Sequence, residues 1–144
     1  SVKSASENYN QCQKKRIGGT MGLMYEELTD KIIQCFYTVH NSLGYGFSEH
    51  LYEKAMMYEL AEMGLRAENQ KLVEVFYKGH MIGEYKPDII VEDKVIIEIK
   101  SVSKILPIHE TQLVNYLRAT GIKIGLLVNF GERVEFKRRI FDRK

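Results

Sequence analysis

Lys86-Pro87-Asp88-Ile89-Ile90-Val91-Glu92-Asp93-Lys94-Val95-Ile96-Ile97-Glu98-Ile99-Lys100 decides the fold. Its second half, Val95 to Lys100, is apolar and rich in β-branched residues, which predicts a buried strand. Side chains alternate along a strand, so Glu98 and Lys100 share one face while Ile97 and Ile99 take the other. An acid and an ammonium on the same face of a central strand are costly to bury unless they act together or bind something. Asp88 opens the preceding apolar run, and Glu92-Asp93-Lys94 supplies turn residues between the two runs. A hairpin folded there brings Asp88 beside Glu98, placing two carboxylates and one ammonium together. Oxygen donors of this kind suit hard divalent cations, and Mg²⁺ often takes only one or two carboxylates plus substrate phosphate.

The flanking sequence organises around this hairpin. From Glu26 to Leu43, apolar residues recur at Leu28, Ile32, Phe36, Val39 and Leu43, the spacing of a helix with one buried stripe. Gly44-Tyr45-Gly46 ends it, and Ser48 is placed to cap a second helix running to about Met63 before Gly64. That helix carries Leu51, Ala55, Met56, Tyr58 and Leu60 on several sides, so it is expected to be largely buried. Strand-like stretches follow over Leu65–Tyr77 and Met81–Val91, with Lys78-Gly79-His80 as the turn. Pro107 suits the first turn of a third helix reaching about Thr120, before Gly121. Ile124–Phe130 reads as a strand buried on both faces and Val134–Ile140 as a last strand. The expected order is α-α-β-β-β-α-β-β. A helix between Val95–Lys100 and Ile124–Phe130 implies a parallel crossover, hence a mixed sheet flanked by helices, of the α/β (α+β) class.

Two further places carry polar residues with a chemical reading. On the third helix, Leu113 and Leu117 form the apolar stripe, while Gln112 and Tyr116, also four apart, lie at its border and can face Glu98 and Lys100. Glu49 falls in the first turn of the second helix, where the helix dipole favours a carboxylate. If that helix is buried, Glu49 needs a partner, and a cation beside Asp88 and Glu98 would supply one.

These strings together resemble a known group. Pro87-Asp88, nine residues, then Glu98-Ile99-Lys100 is similar to the signature of the PD-(D/E)XK phosphodiesterase superfamily, the restriction-endonuclease-like nucleases. Gln112-x-x-x-Tyr116 resembles the motif of its RecB-like branch. Gly46-Phe47-Ser48-Glu49-His50-Leu51-Tyr52 resembles the string that names the GxxExxY protein family within that superfamily. LGYGFSEHLYEKA and GLLVNFG are similar to the same family, and the resemblance runs from about Leu28 to Phe136. It implies a restriction-endonuclease-like fold and metal-assisted hydrolysis of a DNA or RNA phosphodiester. In that scheme Asp88 and Glu98 hold one or two Mg²⁺ or Mn²⁺, helped by the backbone carbonyl of Ile99 and by Glu49. Lys100 orients the water or stabilises developing charge, and Gln112 and Tyr116 position the nucleic-acid strand or support the metal's surroundings. A non-catalytic nucleic-acid-binding or adaptor module that keeps the fold is the alternative.

Composition narrows the setting. With 144 residues and 44% apolar content, one compact domain is expected over 21–144. Residues 1–20 show no apolar period and read as a disordered extension without a secretory h-region. No segment approaches the roughly 18 apolar residues of a membrane span. Cys12 and Cys35 suggest free thiols in a reducing, cytoplasmic compartment. His40, His50, His80 and His109 are scattered and read as packing or surface residues. Net charge is +2, but residues 21–132 hold eleven Lys/Arg against sixteen Asp/Glu. The densest positive charge is C-terminal, where Lys137, Arg138 and Arg139 are the candidate nucleic-acid contacts. A homodimer or a protein partner is left open.

Overall fold

The computed structural model describes residues 20–142, with side chains from Tyr25 onward. Helix α1 spans Thr20–Leu43 and so begins earlier than the apolar stripe that predicts it. Apart from Thr20, the expected extension lies outside the described residues. Ile32, Ile33, Phe36 and Val39 of α1 are buried, as the helical period requires.

Helix α2 spans Glu49–Glu62 and follows Ser48, whose side chain makes no capping hydrogen bond. The expectation that α2 is buried on most sides fails. Tyr52, Glu53, Met56 and Leu60 are buried, whereas Leu51 and Tyr58 are exposed. One side of α2 packs on α1 and the sheet, and the other faces solvent.

The two long strand-like stretches each break in two. Leu65–Tyr77 divides into β1 (Ala67–Asn69) and β2 (Val73–Tyr77), with Gln70 between them at φ 55°. Met81–Val91 becomes β3 (His80–Tyr85) and β4 (Ile89–Val91), separated at Pro87, which has no N–H to give a ladder. The chain continues through β5 (Val95–Lys100), helix α3 (Pro107–Thr120), β6 (Ile124–Phe130) and β7 (Val134–Ile140). The class stands, with seven strands in place of five. The main sheet has the order β1-β4-β5-β6-β7, and β2 and β3 form a separate two-stranded hairpin. As expected, β5 and β6 run parallel across the α3 crossover, while the other neighbours in the main sheet are antiparallel.

Helices α1 and α2 cover one face of the main sheet. There Val95, Ile97 and Ile99 of β5 meet Ile32, Phe36, Tyr52, Met56 and alternate residues of β6 in one apolar cluster. Helix α3 covers the other face, where Leu113 and Leu117 pack on Ile90, Ile96 and Leu127. All seven residues of β6 are buried, as expected of a strand covered on both sides. Gly125 allows α3 to approach this closely, because a Cβ there would stand 2.6 Å from Leu113 Cδ1. The site carboxylate Glu98 therefore lies on the α3 face of a strand whose opposite face is core.

Candidate active site

The hairpin read from the sequence is present. Ile89 pairs with Ile97 and Val91 with Val95, so the register puts Asp88 opposite Glu98. The tight connection uses Glu92 and Asp93, both at φ 53°. Two hydrogen bonds lock the carboxylates together. The Ile99 N–H donates to Asp88 Oδ2 at 2.7 Å, and the Asp88 N–H reaches Glu98 Oε1 at 3.4 Å. Each carboxylate is thus held by the backbone of the other's strand.

Burial and proximity give both groups a poor environment for negative charge. Glu98 is pushed up from 4.5 to about 7, first by burial and then by the charge of Asp88. Lys100, on the same face of β5, pulls in the other direction but more weakly. Asp88 is also raised, chiefly by burial, against the lowering bond from Ile99. Glu53 and Glu49 push it further up, so two of the α2 carboxylates act on Asp88. An arrangement that accumulates carboxylates and raises them is one that a cation would relieve.

Glu49 is exposed rather than buried, and it acts on Asp88 only through its charge. Glu53, one turn later on the same helix side, is the buried one, at 3% exposure. It accepts hydrogen bonds from Gln70 Nε2 at 2.6 Å and Asn69 Nδ2 at 3.3 Å. Gln70 Nε2 also lies 3.4 Å from Asp88 Oδ1, so this amide bridges Glu53 to the site. Neither Glu53 nor Gln70 is among the residues singled out from sequence. The available signals were the i, i+4 spacing from Glu49 and the polar break Glu68-Asn69-Gln70 between two apolar runs.

Tyr85 was missed as well. Its hydroxyl donates a hydrogen bond to Glu98 Oε1. Its ring stacks on Tyr116 with centroids 3.4 Å apart, which seats Tyr116 beside the carboxylates. Both phenols are raised, first by burial and next by the charge of Glu98. Gln112 is exposed one turn before Tyr116 and joins none of these bonds.

Tyr52 gives the Gly46-x-x-Glu49-x-x-Tyr52 string a structural basis. Its hydroxyl donates to the Gly44 carbonyl at 2.7 Å, and its ring stacks on Phe130 with centroids 4.4 Å apart. The Phe47 carbonyl of the same loop accepts from Ser101 Oγ at 2.8 Å, tying the loop to the residue after Lys100. Asn129 holds the other side by exchanging two hydrogen bonds with the Val102 backbone, at 2.8 and 2.9 Å. His40 and His109 have structural roles: one bonds the Gly131 carbonyl at 2.8 Å, and the other accepts from the Leu106 N–H at 3.1 Å.

Among the described residues no three His, Cys, Asp or Glu side chains converge as a ready-made metal cage. The oxygen donors that the hairpin brings together are the Asp88 and Glu98 carboxylates, of the kind a hard cation takes. Of the C-terminal basic residues, Lys137 is exposed. Arg139 forms an ion pair with Glu110 of α3, and Arg138 is half-buried. Among the described residues no helix is long and apolar enough to cross a membrane.

The sequence model of the PD-(D/E)XK nuclease superfamily matches residues 26–140. The fold is similar to the crystal structure of SSO0001, with a TM-score of 0.53 and 22% identity over 67% of this chain and 52% of that one. It is also similar to an alkaline exonuclease from Laribacter hongkongensis, with a TM-score of 0.49 and 18% identity over 65% of this chain and 56% of that one. The chain thus spans about half the length of these solved structures. No curated protein matches it.

Proposed function

The chain belongs to the PD-(D/E)XK nuclease superfamily, and from that premise we propose that it hydrolyses phosphodiesters of DNA or RNA with Mg²⁺ or Mn²⁺. The observation that supports this most is the convergence of Asp88 and Glu98, with Glu98 raised to about 7 by burial and by its neighbour. Asp88, Glu98 and the Ile99 carbonyl would hold the cation, with Glu49, whose charge already acts on Asp88, contributing through water. A bound divalent ion supplies charge neutralisation at the phosphate and an acidified water.

The protein's own groups do the rest. Lys100 projects from the same face as Glu98 and offers its ammonium to the attacking water or to a phosphate oxygen. Tyr85 and the Asp88 N–H fix Glu98 through one oxygen, Oε1, so that Oε2 takes no part in either bond. Gln70 orients Asp88 from the other side and keeps Glu53 satisfied. Tyr116, braced on Tyr85, and the exposed Gln112 border the path of the substrate strand. Cys35 is a buried free thiol raised to about 12 by burial, an inert group that suits a reducing, cytoplasmic setting.

The test combines binding and turnover. Mn²⁺ is expected to raise the melting temperature of the parent and not of Asp88→Ala. A panel of DNA and RNA substrates is expected to be cut with Mg²⁺ or Mn²⁺ and spared with EDTA. Equal thermal shifts in both proteins would move the metal elsewhere.

A further inference from the structure

Asp88 has a neighbour on each side in one cross-strand row. On β5 the register puts Glu98 opposite it. On the other side, the register that pairs Asn69 of β1 with Ile89 of β4 carries on to Gln70 opposite Asp88. The Gln70 N–H donates to the Asp88 carbonyl at 3.1 Å, so the ladder runs one residue past β1. Gln70 does this in a left-handed conformation, at φ 55°, and its side chain reaches Glu53 of α2.

The Gln70 amide sits between two carboxylates. Its Nε2 is 2.6 Å from Glu53 Oε1 and 3.4 Å from Asp88 Oδ1. An amide nitrogen carries two hydrogens and can serve both acceptors, whereas the amide oxygen would meet another oxygen on each side. The neighbours therefore fix which end of the amide points inward. Asn69 Nδ2 donates to the other oxygen of Glu53 at 3.3 Å, so both oxygens of this buried acid are engaged.

Paired catalytic cations stand about 3.5–4 Å apart, a spacing that one carboxylate provides when it is shared through its two oxygens. The candidate for sharing is Asp88. Its Oδ2 is held against β5 by the Ile99 N–H. Its Oδ1 is turned to the amide and, through it, to Glu53, whose charge acts on Asp88. Among the described residues no side chain bridges Asp88 and Glu98 in this way, so theirs is the repulsion left for a cation to relieve. We propose that the site takes a single divalent cation, between Asp88 and Glu98, because the Gln70 amide fills the place a second would need between Asp88 and Glu53. The inference rests on the metal-dependent reading above and decides the cation number that reading leaves open.

Titration calorimetry and Mn²⁺ electron paramagnetic resonance on the full chain, without nucleic acid, count bound cations independently of turnover. The parent is expected to bind one Mn²⁺. Gln70→Gly removes the amide, and glycine adopts φ 55° without strain. That variant should bind two, the first about tenfold more weakly than in the parent, because Asp88 loses a supporting hydrogen bond. Gln70→Gly/Glu53→Gln should return the count to one, since the second place then lacks an acid. If Gln70 serves folding alone, its loss lowers the melting temperature and leaves the count at one. A count of one in folded Gln70→Gly therefore overturns the inference. So does a parent that binds two, a result that does not depend on how the variant folds. A parent that binds none defeats the metal-dependent reading and this inference with it, and the count distinguishes that failure from the other two.

Discussion

The two faces of β5 differ by one residue of register and by everything in their surroundings. Val95, Ile97 and Ile99 sit in the core under α1 and α2. Ile96, Glu98 and Lys100 face α3, and from Glu98 onward that face opens into the half-buried site. One strand therefore anchors the fold with its odd positions and presents chemistry with its even ones. The division requires the odd face to be strong enough to hold two raised carboxylates beside each other on the even face.

The sharpest way to break the comparison is Lys100→Ala. Removing the ammonium should abolish hydrolysis while leaving the fold intact and metal binding largely so. Lys100 is half-buried at the end of β5 and carries none of the core packing. Turnover assays beside Mn²⁺ thermal shifts would read both effects. Parent-level cleavage by the variant would mean that the activity belongs to other residues or to a contaminant.

The converse change is Ile97→Ala, one residue before Glu98. Ile97 is fully buried, and emptying such a site costs about 2–5 kcal/mol. Urea denaturation should show that loss, with catalysis per folded molecule nearly unchanged. Substitution on the odd face should thus affect stability and substitution on the even face activity. A variant at Ile97 that folds normally but does not cleave would erase the distinction.

pH sharpens the same contrast. Glu98 is raised in the fold, so its protonated form is the one the fold favours. The resulting stability is complete below the unfolded value near 4.5 and is lost as pH rises through about 7. Without metal, the parent should lose on the order of 3 kcal/mol at most across that window. Glu98→Gln should show a flatter profile, since an amide does not ionise. Above pH 7 a saturating divalent ion should restore stability to the parent and not to the variant. Matched melting curves across this range would decide it, and parallel profiles would assign the pH response to other groups.

How much of this was legible in the sequence follows from how local each signal is. The Asp88–Glu98 pairing depends only on a turn and a period of two, both contained in fifteen residues, and the structure has it. The parallel crossover followed from a helix lying between two apolar strands. Tyr85 was hidden because Pro87 cuts its strand from β4, so no local pattern points the phenol at Glu98. Gln70 reaches Asp88 through a left-handed kink that no apolar period encodes. Glu53 was not legible because α2 reads as apolar on most sides, which leaves Glu49 in its first turn as the acid in need of a partner. In the fold, solvent exposes Leu51 and Tyr58 and leaves Glu53 as the buried acid.

The smallest expected effect concerns the far end of the Glu98 row. Glu98 pairs with Leu127, and Leu127 with Lys137, so Lys137 stands two strands away on the same face. That separation is about 10 Å, within reach of a phosphate neighbouring the one at the site. Of the three C-terminal residues proposed to contact nucleic acid, only Lys137 is exposed on that face with no carboxylate paired to it among the described residues. Arg139 faces the same way, but Glu110 already neutralises it. Arg138 alternates to the other face and is half-buried. Lys137→Ser should therefore lower the salt slope of binding by roughly one unit and weaken affinity only modestly, and most at low salt. Arg139→Ser should change the slope less, because its loss frees the charge of Glu110. Binding isotherms at several salt concentrations would rank the two. A larger slope change for Arg139→Ser would mean that the Glu110 pair opens to receive phosphate, and an unchanged slope in both would move the backbone track away from β7.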